Sequence, residues 1–288
     1  MELFTSSATP SATRWSDRRL SELTAGVIGY LAAMAAAEIV AVTVGPFQGA
    51  TSYALIFITL VNLTILARVR EADSAGRDWR LLAVAAIPPL ERLLMLCMPP
   101  LRWGRLQEYV FWSIPLFVGV VVLLGTPLLA EVADLRPRLV RTLHGGYGLP
   151  GFTGQVLVAF AGAGLGVSAG LLAEGRLQPV GDLLRTSQAA WLGIVMFVFA
   201  GCTQELLYRG VIQPVATALG DWVGVVVSSM LMASAWLAWV GVVVAIPVVV
   251  VSLLFGFAVR RWHALIGVLV GHGLFNLALA LLWHRVLL

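Results

Sequence analysis

Apolar blocks of roughly twenty residues, separated by short links that carry arginine, recur along this chain from Leu23 to Trp283. A helix rises about 1.5 Å per residue, so each block matches a hydrocarbon core about 30 Å thick. Within that core every backbone N–H and C=O must be bonded internally, which long apolar blocks achieve as α-helices. Composition points the same way: 59% of residues are hydrophobic and only 12% charged, against about 25% charged in soluble domains. The expected fold is therefore all-α, a polytopic integral membrane bundle of about eight or nine transmembrane helices. Such a composition excludes a secreted disulfide scaffold and a disordered tail. The net charge of +4 is no sign of nucleic-acid binding, because all 19 basic residues are arginines and most sit in the links.

The blocks predict spans at Leu23–Gly45, Thr51–Ala67, Leu81–Pro99, Tyr109–Ala130, Phe152–Ala173, Gln188–Gln213, Trp222–Trp239, Val242–Val259 and Trp262–Trp283. Leu81–Pro99 is expected to be kinked or re-entrant, since Pro88, Pro89, Glu91 and Arg92 fall at its middle. The run Trp222–Val259 is almost uninterrupted and would be about 57 Å long as one helix. It is expected to fold back near Trp239–Gly241. Counting arginines in the links supports a cytoplasmic N-terminus but leaves the orientation after the second span open. The chain divides into a polar cytoplasmic tail (1–22), N-terminal transmembrane helices (23–150) and a C-terminal membrane core (181–288). The location expected is the cell (plasma) membrane, multi-pass, with membrane lipid as the immediate partner and no nucleic acid.

Ten tryptophans stand mostly at span ends, as interfacial anchors do. Gly162, Gly166 and Gly170 recur every fourth residue and give a smooth face for close helix packing. Cys97 and Cys202 lie in apolar blocks and read as small core residues. The link Glu174–Ser187 has the pattern of a short interfacial helix.

An ionisable group at the centre of a membrane helix costs at least about 2.5–3.5 kcal/mol, so each one is a candidate for function. They are Glu38, Glu91, Arg92, Glu205, Arg209 and His272. Glu38 is expected to pair with a polar residue of the second span such as Asn62. Glu91 and Arg92, about 100° apart on a helix, are expected to pair with other segments rather than with each other. Glu205 and Arg209 share a face at i, i+4 and can neutralise one another. His272 and Asn276 share a face of the last span, and Gly273 leaves room for a neighbour to approach.

Gln204-Glu205-x-x-x-Arg209-Gly210, a long apolar hairpin, and then His272-x-x-x-Asn276 resemble the CAAX prenyl protease and bacteriocin-processing family (CPBP, or Abi). The family pattern is Glu-Glu-x-x-x-Arg, Phe-x-x-x-His and His-x-x-x-Asn, and the resemblance runs from about Gly181 to Leu282. It implies a helical intramembrane endopeptidase, a hydrolase in which the leading Glu activates water. The two histidines help bind that water or a metal, and the Asn helps form the oxyanion site. By position, Gln204 takes the place of the catalytic Glu, with Glu205, Arg209, His272 and Asn276 in their family places. Two departures stand out. Gln204 carries no carboxylate to act as a base, and Trp236 occupies the position of the second-motif His. Zinc, the cofactor of an active form, takes three protein ligands at a catalytic site, for which Glu205 and His272 are the good candidates and Asn276 a weak third.

The resemblance thus implies a family pseudoenzyme whose core binds a peptide or a lipidated protein C-terminus without cutting it. The alternative is an active metallo- or glutamate-type endopeptidase cleaving C-terminal, prenylated or short, peptides. A second alternative, motivated by Glu38, Glu91 and Arg92, is a small-solute transporter.

Overall fold

The computed structural model describes residues 17–71, 78–97, 149–172 and 198–286. The predicted span Tyr109–Ala130, the link Glu174–Ser187 and most of the first half of Gln188–Gln213 lie outside the described residues. All the described elements are helical, as the apolar blocks require.

Helix α1 (Asp17–Thr43) and α2 (Pro46–Glu71) form an antiparallel pair. The chain turns between them at Gly45, whose φ of 146° suits a residue without Cβ. Pro46 then opens α2, where its missing N–H costs no ladder bond. Arg68 and Arg70 close α2, and the Arg68 guanidinium lies 5.3 Å from the Trp79 ring centre, an interfacial arrangement of cation and aromatic. Both helices overrun their predicted spans at the start, because polar residues such as Asp17 and Gln48 continue a helix into the interface.

The predicted span Leu81–Pro99 is two short helices, α3 (Asp78–Ala85) and α4 (Ile87–Cys97), with a turn at Ala86. Pro88 and Pro89 lack the N–H groups that would continue the ladder, so the break falls just before them. The bend turns Glu91 and Arg92 inward, and both are buried.

Helix α5 (Leu149–Leu172) packs along α8 (Leu265–Val286). A methyl at Gly162 would sit 2.2 Å from the Gly271 oxygen, and one at Gly166 would sit 2.4 Å from the Phe275 oxygen. Contacts that advance together along both helices make the pair parallel. At Gly162 and Gly166 the four-residue glycine repeat therefore brings two backbones together, as predicted. Gln155 of α5 accepts a short hydrogen bond from Gly267 N–H, one of the donors left over at the start of α8.

Between them run two elements. Helix α6 (198–216) begins as an α-helix, passes through π-helical turns at Leu206–Ile212 and ends in the short segment Gln213–Ala216. Helix α7 is Asp221–Trp262, 42 residues, which as a rod would span about 63 Å. It does not run straight. Arg260 bonds Asp221 at 3.1 Å and lies 4.0 Å from the Trp222 ring centre, and Trp222 stacks on Phe257 at 5.9 Å. These pairs, with Ser228 and Ser252 both bonded to Arg209, centre near residue 240. The fold-back expected at Trp239–Gly241 is thus present, and helical conformation continues through it. The second arm ends where His263 adopts a left-handed conformation, φ 51°, its N–H bonded to Ala258 O.

Three described segments are long and apolar enough to cross a membrane, Thr24–Thr43, Pro46–Arg70 and Gly151–Leu171; Asp221–Ser234 and Leu265–Ala278 are shorter apolar helices. The core of the N-terminal half is continuous with the rest. Met34 and Ala37 of α1, Tyr53 of α2 and Val84 of α3 pack with Tyr208 and Leu231 of α6 and α7.

Candidate functional site

The polar residues singled out by the sequence converge where α6 crosses α7 and α8. Glu205, at the last α-helical turn of α6, is fully buried and uses both carboxylate oxygens. Its Oε2 accepts from Arg209 Nε at 3.2 Å, and its Oε1 lies 2.9 Å from His272 Nδ1. The i, i+4 pair expected from spacing is present, and His272 joins it from α8. Asn276, one turn further along α8, is fully buried beside it.

Close approach of α6 and α8 depends on Gly201. A methyl there would sit 2.8 Å from both Asn276 Nδ2 and His272 Cδ2, closer than carbon packing allows. The Phe255 and Phe275 rings flank the imidazole, with centroids 6.2 and 6.0 Å away. Gln204 is buried on the same turn of α6 as Glu205. The side chain of Trp236 lies outside those described.

Arg209 is the hub. Its Nη1 donates to Gln213 Oε1 at 3.3 Å, Ser228 Oγ at 2.6 Å and Ser229 Oγ at 3.2 Å; its Nη2 donates to the Ser252 carbonyl and hydroxyl. Every guanidinium nitrogen is bonded, on α6 itself and on both arms of α7. The π-helical turns supply the geometry. With i→i+5 bonding, such as Gln213 N–H to Tyr208 O, the segment is wider than an α-helix and its side chains are rephased. Tyr208 then faces α4 while Arg209 faces the hairpin. Gly256 leaves the space: a methyl there would sit 2.9 Å from Val225 Cγ1 and 3.1 Å from Arg209 Nη1. Gln213 also donates to Gly256 O at 2.9 Å.

Sequence reasoning missed Gln213, Ser228, Ser229 and Ser252 as partners of Arg209. The signal available was the symmetry of the hairpin. Once the chain reverses at 240, small hydroxyl residues at 228 and 252 must face one another across it.

The N-terminal polar residues form a separate cluster. Glu38 does not pair with Asn62, which is exposed; it binds Arg92 through a short Nε–Oε1 contact and a second bond, Nη2 to Oε2, at 3.1 Å. A cation neutralises a buried carboxylate where an amide only bonds it, and the bend at Ala86 carries Arg92 to α1. Glu91 turns the other way and accepts from Tyr208 Oη at 2.9 Å. The two neighbours therefore reach different segments, as their angular separation predicts. Cys202 donates weakly to Leu269 O at 3.4 Å and Cys97 is exposed.

Among the described residues no group of three or more His, Cys, Asp or Glu side chains is placed to hold a metal, and Glu205 and His272 are turned onto one another. What the arrangement provides is a carboxylate fixed between a guanidinium and an imidazole, with the imidazole oriented through Nδ1. A distinct apolar cavity of ≈ 520 Å³ lies between α1, α2 and α3 and the α6–α7 corner, lined by Val27, Leu55, Leu60, Ile212 and Leu231 among others.

A family model described as type II CAAX prenyl endopeptidase, Rce1-like, matches residues 186–278. The matched stretch holds Gln204, Glu205, Arg209, His272 and Asn276. No curated protein and no solved structure matches the chain.

Proposed function

Since a family model described as type II CAAX prenyl endopeptidase, Rce1-like, matches residues 186–278, we propose that this is an intramembrane pseudoenzyme of that family, which binds a peptide or lipidated C-terminus without cleaving it. The observation that carries this reading is the state of Glu205. Gln204, at the family's leading position, has no carboxylate, and both oxygens of Glu205 are bonded, to Arg209 and His272. A general base must reach the proton of an attacking water. A carboxylate clamped on both oxygens serves instead as the counter-ion of Arg209 and the orienter of His272. The apolar cavity of ≈ 520 Å³ supports a lipidated ligand, since its volume falls in the range of about 300–1,000 Å³ typical of small-molecule sites. Membrane lipid surrounds the helices.

One observation favours a second reading, the active endopeptidase. A carboxylate bonded to Nδ1 is the device that fixes a histidine's tautomer and directs its Nε2 toward a substrate. In that case His272 is the base and Glu205 its positioning residue, with no metal required.

The test is to present purified protein with fluorescent prenylated and unprenylated peptides, following binding by anisotropy and cleavage by mass spectrometry. Binding of the prenylated peptide with no cleavage is the expected result. Cleavage by the wild type that is lost in both Glu205→Ala and His272→Ala overturns the pseudoenzyme reading, and absence of binding removes the peptide-receptor role.

A further inference from the structure

Glu91 is a buried carboxylate that the site above does not use. It lies on α4, outside the family segment, and is 3% exposed. One oxygen, Oε2, accepts from Tyr208 Oη. The other, Oε1, is buried and has no hydrogen-bond partner. Among the described residues no cation is hydrogen-bonded to it. Arg92, next in sequence, directs Nε and Nη2 to Glu38. Arg209 is bonded on all its nitrogens to Glu205, Gln213 and the serines of α7. Arg80, on α3, lies with its guanidinium 5.7 Å from the Trp79 ring centre and makes no bond to Glu91. Of the other titratable groups packed nearby, Tyr30 donates to Ala85 O and Tyr53 to Met34 O.

Among the described buried carboxylates, Glu38 is bonded to Arg92 and Glu205 to Arg209, and Glu91 has no bonded cation. An ionised carboxylate away from water, with one neutral donor and no cation bonded to it, is far less favourable than the same group as a neutral acid. We propose that Glu91 holds a proton, so that Glu91 and Tyr208 form a buried proton-binding site joining the N-terminal helices to the π-helical turns of α6. Tyr208 immediately precedes Arg209, the hub of the functional site. The proton thus sits at the junction through which α4 contacts that hub.

The experiment is infrared difference spectroscopy of the full chain in lipid at neutral pH, wild type minus Glu91→Gln. Loss of the carbonyl stretch of a protonated carboxylic acid is expected in the variant. Loss of a carboxylate stretch instead would overturn the proposal. As a second measurement, needing no variant, wild-type protein is treated with dicyclohexylcarbodiimide. This reagent adds the acid's proton to nitrogen and its oxygen to the central carbon, and so reacts with the protonated form. Peptide mapping should find the adduct on Glu91 and none on Glu38; labelling of Glu38 in preference to Glu91 counts against the proposal. Both readouts report Glu91 itself and stand apart from whether peptides are bound or cleaved.

Discussion

Arg209 carries a full charge into a region that water does not reach, and every neighbour is arranged around that fact. Its guanidinium geometry suits the task, since the planar fork offers five donors in fixed directions. Removing Glu205 leaves the cation uncompensated, whereas removing one serine hydroxyl leaves the remaining bonds in place. Glu205→Gln is therefore expected to lower stability by about 3–5 kcal/mol, and Ser228→Ala by roughly 1.5–3 kcal/mol, the scale of a hydrogen bond to a charged group. Unfolding titrations in mixed detergent micelles measure both. Equal costs for the two would contradict the role of Glu205 as counter-ion. At this scale the ionisable residues were legible in the sequence because they are rare in apolar blocks. Their serine partners were not, because a serine in a membrane helix is common and gives no sign of its partner until the hairpin brings one opposite.

Among the elements, α7 and α6 depart furthest from regular helices. The reversal of α7 was legible, because about 57 Å of apolar helix exceeds the bilayer. The π-helical turns of α6 were not, since Leu206–Ile212 reads as ordinary apolar helix with one arginine. A reversal near residue 240 places Asp221 beside Arg260. In a background with Cys97 and Cys202 replaced by Ser, the double variant Asp221→Cys, Arg260→Cys should form an intramolecular disulfide under mild oxidation. Mobility on non-reducing gels and mass mapping read the bond. No bond at any oxidant concentration would mean that the arms lie apart.

For the whole molecule, the polar contacts of α4 tie the N-terminal half to the family segment: Arg92 to Glu38 of α1 on one side, Glu91 to Tyr208 of α6 on the other. The Glu38–Arg92 pair is buried, so its loss depends on which charge remains. Arg92→Met should cost about 3–5 kcal/mol by leaving Glu38 unpaired, and adding Glu38→Gln should recover most of that loss. A double-mutant cycle on unfolding free energy measures the coupling. Additive effects would show that the pair does not act as a unit. The sequence offered Glu38, Glu91 and Arg92 as buried charges but paired Glu38 with Asn62. Nearness in sequence favoured the second span, and only the bend at Ala86 brings Arg92 to α1.

By itself the sequence determined the solvent and the list of candidates. Apolar blocks of membrane length demand helices, a run twice that length demands a reversal, and the few ionisable groups inside can be named one by one. The motif order from Gln204 to Asn276 also carried the family resemblance of the C-terminal segment, where the family model matches. The tertiary structure decided who pairs with whom. Pairing depends on helix crossings, on glycines that admit close approach, and on a π-helical rephasing, none of which is encoded at a fixed spacing along the chain. That is how Glu205 came to be clamped on both oxygens, and how Glu91 was left with no cation bonded to it among the described residues.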